Sequence, residues 1–143
     1  MAEGGFFVHA TAVAIDGRAV LLLGASGSGK SDLALRLIDR GAKLIADDQT
    51  RLRRREEALI ASAPSEIKGL IEVRGLGIVA VPTLAEAPVR LAVELVRSEA
   101  VERLPEPDWA EFLGVRVRRI KLAAFEASTV AKLHLAVHTD MDR

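Results

Sequence analysis

Eight residues, Gly24-Ala25-Ser26-Gly27-Ser28-Gly29-Lys30-Ser31, limit what this chain can become more than any other stretch. They fit the pattern G-x-x-x-x-G-K-[ST] without a mismatch. The pattern has a mechanical meaning. A strand ends, the backbone wraps round an anion, and a helix begins with its free N–H groups aimed at that anion. Glycines at 24, 27 and 29 allow dihedrals and close contacts that a Cβ forbids. Lys30, read as an exposed loop residue, offers a compact charge to β- and γ-phosphates. Ser31 offers a hydroxyl to Mg2+, a cation that prefers oxygen donors. The loop reads as the cradle of a nucleoside triphosphate.

The flanks supply the required context. Phe6–Ile15 is apolar and β-branched, Asp16-Gly17 is a turn signal, and Ala19–Leu23 completes a hairpin that feeds the loop. Ser31–Arg40 carries Leu33, Ala34, Leu37 and Ile38 at one-face helical spacing, with Gly41 as its stop. Lys43–Ala46 is a short apolar strand that runs into Asp47-Asp48. Arg51–Arg55 and Ala58–Ala61 predict a second hairpin, its charges on a solvated edge. Pro64–Leu70 reads as a loop, and Ile71–Val81 as a strand broken by a tight approach at Gly75 and Gly77. Val89–Val96 and Val115–Leu122 alternate as strands, with a loop at Pro105 and Pro107 between them. Ala123–Val137 predicts a second helix, and His138–Arg143 has no pattern. One α/β domain over residues 1–143 is the economical organisation.

Composition narrows the partners. Lys+Arg and Asp+Glu stand at 20 each, so no net field draws nucleic acid or an anionic membrane. Aromatic residues make up 3% of the chain, too few for a base-stacking platform along single-stranded nucleic acid. There is no cysteine, which excludes disulfides and thiolate metal sites. No apolar run approaches the ~20 residues of a membrane helix. A cytoplasmic protein without nucleic-acid or membrane partners is expected.

Two further places carry chemistry. In phosphate-loop proteins an acid at a strand end faces Mg2+ or the attacking nucleophile, which is where Asp47 and Asp48 fall. Adjacent side chains on an extended chain point to opposite faces, so one of the two should enter the site. Glu72-Val-Arg-Gly-Leu-Gly77 suggests on its own only a bend. His9, within an apolar strand, reads as structural, as do His134 and His138, one helical turn apart with no third ligand near.

His9, the loop Gly24–Ser31, the run Arg40-Gly-Ala-Lys-Leu-Ile-Ala-Asp-Asp48 and the block Ile71-Glu-Val-Arg-Gly-Leu-Gly-Ile-Val79 follow one another in order. Together they resemble the catalytic domain of the bifunctional HPr kinase/phosphorylase family. Val101-Glu-Arg-Leu104 and Phe112-Leu-Gly-Val115 add a fainter match. The resemblance implies a P-loop NTPase-like mixed sheet flanked by helices, related to the phosphoenolpyruvate carboxykinases. It implies an enzyme that uses ATP and Mg2+ to phosphorylate a serine of the phosphocarrier HPr, and that removes the phosphate by phosphorolysis. By position Lys30 would hold phosphates, Ser31 and Glu72 the metal, and Asp48 (with Asp47 as rival) would be the base. His9 and Arg103 match positions used in the family's site, and a homo-oligomer, a hexamer in the family, is implied. The family's separate N-terminal domain has no counterpart in this sequence, which reads as a short form. Its Pro-x-x-Pro-Gly-Arg-Asn segment, tied to dephosphorylation, is replaced by Leu122-Ala-Ala-Phe-Glu-Ala-Ser128, and its signature's closing Asp is Ala80. Two other readings use the same loop: a small-molecule kinase, for which no Arg-bearing lid is evident, and a nucleotide-sensing regulator without turnover.

Overall fold

A computed structural model of the chain describes residues 5–64 and 69–139. The first strand, β1 (Phe6–Val8), is interrupted at His9 and resumes as β2 (Ala10–Ile15). Asp16 and Gly17 both take positive φ, 52° and 79°, and this two-residue turn returns the chain as β3 (Arg18–Leu23) with Ile15 opposite Arg18. The helix α1 (Lys30–Asp39) follows the loop. It ends as expected at Gly41, whose N–H reaches Ile38 O while Ala42 N–H reaches Leu37 O, a Schellman closure. Then come β4 (Lys43–Ala46), β5 (Thr50–Arg55) and β6 (Ala58–Ser62).

The remaining elements are β7 (Leu70–Val73), β8 (Gly77–Ala80), β9 (Glu86–Leu95), β10 (Trp109–Phe112), β11 (Val115–Leu122) and α2 (Thr129–His138). Of the loop expected over 64–70, residues 65–68 lie outside the described residues, and Leu70 already belongs to β7. Likewise, residues 140–143 of the patternless end lie outside them, while His138 closes α2.

Nine of the described strands form one curled mixed sheet, and β7–β8 form a separate pair. The long strand β9 joins its two halves. Residues 86–88 of β9 pair antiparallel with β6, whereas its later residues pair parallel with β3 on one edge and β11 on the other. From β3 the ladder continues through β2 to β4. Alternation along the central strands builds two cores. Val13, Ile15, Val20, Leu22 and Val93 face Leu33 and Leu37 of α1 and Leu133 and Val137 of α2. Ala12, Ala14, Ala19, Leu21 and Ala92 face Leu52, Leu59 and Ala61 on the curled strands. Both helices therefore cover one face, and the sheet folds over to cover the other. No helix among the described residues is long and apolar enough to cross a membrane.

Three sequence expectations need correction. The second helix starts at Thr129, not Ala123. Residues 123–128 form turns, and Ala123 and Ala124 are buried because they continue the core beyond β11. Ile71–Val81 is a hairpin, not one broken strand: Gly75 and Gly77 hold φ of 95° and 97°, and an added Cβ at either would meet nothing within 4 Å. Their conformation reverses the chain in open space. Finally, β5 is no edge, because β1 pairs along its other side.

Candidate active site

The loop is shaped by what surrounds it. Gly29 caps α1 in the left-handed region at φ 99°. A Cβ there would stand 2.7 Å from Ala124 Cβ and 2.8 Å from Phe125 Cζ, so both conformation and space demand glycine. Lys30 corrects the expectation of an exposed side chain: it is 6% exposed. Its ammonium bends back over the loop, donating to Gly24 O at 2.8 Å and Ala25 O at 3.2 Å. Ser28 Oγ is buried with no hydrogen-bond partner among the described residues. Buried hydroxyls normally have partners, and a phosphate oxygen in the loop fits this one.

The acids take separate partners. Asp47 Oδ1 accepts from Ser31 Oγ at 2.9 Å and from Thr11 Oγ1 at 3.2 Å, and its Oδ2 accepts from Glu72 N–H at 3.2 Å. Asp48 turns away. Its φ of 67° is a left-handed conformation that Asp tolerates, and its N–H donates back to Thr11 Oγ1 at 3.0 Å. The Asp48 carboxylate lies 2.7 Å from His9 Nε2, with side chains 65% and 55% exposed respectively. A carboxylate only accepts, so the ring N–H donates. The different directions of the two acids arise from this turn, not from the strand pleat that the sequence suggested.

Ser31 Oγ and Asp47 Oδ1 are hard oxygen donors at one point, which suits Mg2+. Among the described residues no group of three His, Cys, Asp or Glu stands ready to cage a metal. Mg2+ ordinarily takes one or two protein oxygens and completes its shell with water and phosphate, so the donors present fit it.

The structure thus gathers His9, Lys30, Ser31, Asp47 and Asp48, with Glu72 reaching Asp47 through its backbone while its side chain is exposed. Arg103 lines a cleft of about 680 Å3 with residues of β11 and α2. His138 keeps the structural part expected of it: Nε2 meets Asp16 Oδ2 at 2.7 Å, tying α2 to the β2–β3 turn. Sequence reasoning missed Thr11. The one trace was a lone hydroxyl in the otherwise apolar run Ala10–Ile15, fully buried where β2 pairs with β4.

A mixed sheet, a strand–loop–helix bearing an unbroken phosphate-loop pattern, and a strand-end carboxylate on the loop's serine define a P-loop protein. Comparison with known proteins narrows the class. Residues 5–141 match the family model described as the HPr Serine kinase C-terminal domain, and the chain belongs to that family. The HPr kinase/phosphorylase of Leptothrix cholodnii is 40% identical over 138 residues, 87% of this chain and 42% of that protein. The one from Bordetella pertussis is 39% identical over 138 residues, 88% of this chain and 45% of that protein. The chain spans less than half the length of these relatives. A solved Hpr(Ser) kinase/phosphatase from Coxiella burnetii superposes with a TM-score of 0.81 at 31% identity, covering 92% of this chain and 93% of that one. The mixed α/β fold with its curled sheet and two helices is that of the neighbour.

Proposed function

We propose that this chain is the catalytic domain of an ATP- and Mg2+-dependent protein-serine kinase whose substrate is the phosphocarrier HPr, working in the cytoplasm. The observation that carries the reading is the division of labour between Asp47, on the loop's serine, and Asp48, on His9. Loop N–H groups, the start of α1 and Lys30 would receive the triphosphate, Lys30 exchanging two backbone carbonyls for phosphate oxygens. Ser31 and Asp47 would hold Mg2+, which when bound neutralises charge on the transferring phosphoryl. Asp48 would accept the proton of the attacking serine hydroxyl, with His9 fixing its carboxylate, and would return that proton in phosphorolysis. More than half of each of these two side chains is exposed. A base on the surface suits a hydroxyl carried by a folded protein better than one on an enclosed metabolite. Arg103, on the cleft it lines with β11 and α2, is proposed as a site residue from the family resemblance. Assembly into a homo-oligomer is proposed from the family resemblance.

The test is incubation with γ-labelled ATP and Mg2+, with and without HPr. Label on the HPr serine is expected, and Asp48→Asn should remove it. Label on a small acceptor would favour the metabolite kinase, and nucleotide binding without turnover the regulator.

A further inference from the structure

We propose that Phe125 is the shelf on which the nucleobase of the bound triphosphate stacks; the inference rests on the nucleotide reading above. The direction of the nucleotide follows from the sheet. β3, which ends in the loop, has β2 and β4 on one side and β9 and β11 on the other. Asp47 and Asp48 leave β4, and Ser31 turns its hydroxyl to Asp47, so the reacting phosphate points to the β4 side. Ribose and base must then leave the start of α1 on the β11 side. The connection from β11 to α2, residues 123–128, stands there.

That connection is held rigidly. Leu122 O accepts from Val96 N–H at 2.9 Å, Thr129 Oγ1 donates to Ala123 O, and Arg36 Nη2 donates to Ala124 O. The result is an aromatic ring in contact with the loop, yet 69% exposed. The other aromatic residues, Phe6, Phe7, Trp109 and Phe112, belong to β1 and β10. Beside Phe125 opens a cavity of about 340 Å3, walled by Asp32 and Arg36 of α1 and by Ala127 and Val130. Its size falls at the lower end of small-molecule pockets. Asp32 and Arg36 satisfy each other at 3.0 Å, and with Asp39, Arg40 and Glu126 they form a charged rim around the apolar surface of Phe125, Ala127 and Val130. Every base has a π-face, so the shelf would hold a base without reading its edge.

Isothermal titration with MgATP and with inorganic magnesium triphosphate tests this on the full chain. Phe125→Ala should weaken ATP binding about ten-fold and leave inorganic triphosphate binding unchanged, while Phe125→Tyr should keep the wild-type ATP affinity. GTP should suffer the same loss as ATP. Unchanged ATP affinity in Phe125→Ala would overturn the shelf. So would equal weakening of both ligands, which would make Phe125 a prop for the loop. If the wild-type chain binds neither ligand, the nucleotide reading itself fails, and the shelf with it.

Discussion

Thr11 shows how one hydroxyl can set two carboxylates. It donates to Asp47 and accepts from the Asp48 N–H, so it holds the strand end while the chain turns. Thr11→Val keeps the volume and leaves the part-buried Asp48 N–H without its acceptor. A loss of about 0.5–1.5 kcal/mol in urea unfolding is expected, together with a fall in transfer because both acids lose their anchor. The acids themselves should separate kinetically. Asp48→Asn should lower kcat by about 10²–10⁴ while ATP affinity stays within about two-fold, since no loop residue leans on its carboxylate. Asp47→Asn should instead weaken MgATP binding and flatten its dependence on Mg2+ concentration. Steady-state rates beside nucleotide titrations read both. Reversed phenotypes would exchange the two roles.

At the scale of elements, the chain shows what a sequence makes legible. β4 and β11 have the bounds their apolar patterns marked, Lys43–Ala46 and Val115–Leu122, with Gly41 and Asp47-Asp48 bracketing the first and Gly114 opening the second. β9 begins at Glu86, ahead of its alternation at Val89, because its first residues are fixed by pairing with β6, a contact distant in sequence. Ala123 and Ala124 misled for the same reason: burial in the core looks like one face of a helix. In the site, Lys30, Ser31 and the two acids were legible from local pattern. Thr11 and the backbone of Glu72 were not, since only the pairing of β2 with β4 and the approach of β7 bring them to Asp47.

Across the whole molecule, Glu86 links the halves of the curl. It accepts from Arg53 at 2.5 Å and from Arg55 at 2.8 Å, both on β5. Hydrogen bonding from Arg55, then Arg53, lowers its pKa from 4.5 to about 2. A depressed carboxylate stabilises the fold above its unfolded pKa and loses that contribution as pH falls through the folded value. The advantage of wild type over Glu86→Gln in Tm should thus be full at pH 6 and shrink from pH 4.5 toward 2. The side chain is 38% exposed, so the effect is at most about 1 kcal/mol and weaker in high salt. Thermal melts across that window measure it.

β9 has a further consequence, for how the molecule comes apart. It is hydrogen-bonded to β6 by its first residues and to β3 and β11 by its later ones, so neither half of the sheet can peel away while it stays in place. The amide protons of Leu91, Ala92 and Val93 should exchange with deuterium only when the entire chain unfolds. Their opening free energy should equal that from denaturant titration and fall with urea along the same slope. The β7–β8 pair, bonded across a single ladder, should exchange by small openings that urea scarcely affects. Early labelling of β9 would mean that the loop strand can part from its neighbours and that the chain unfolds in stages.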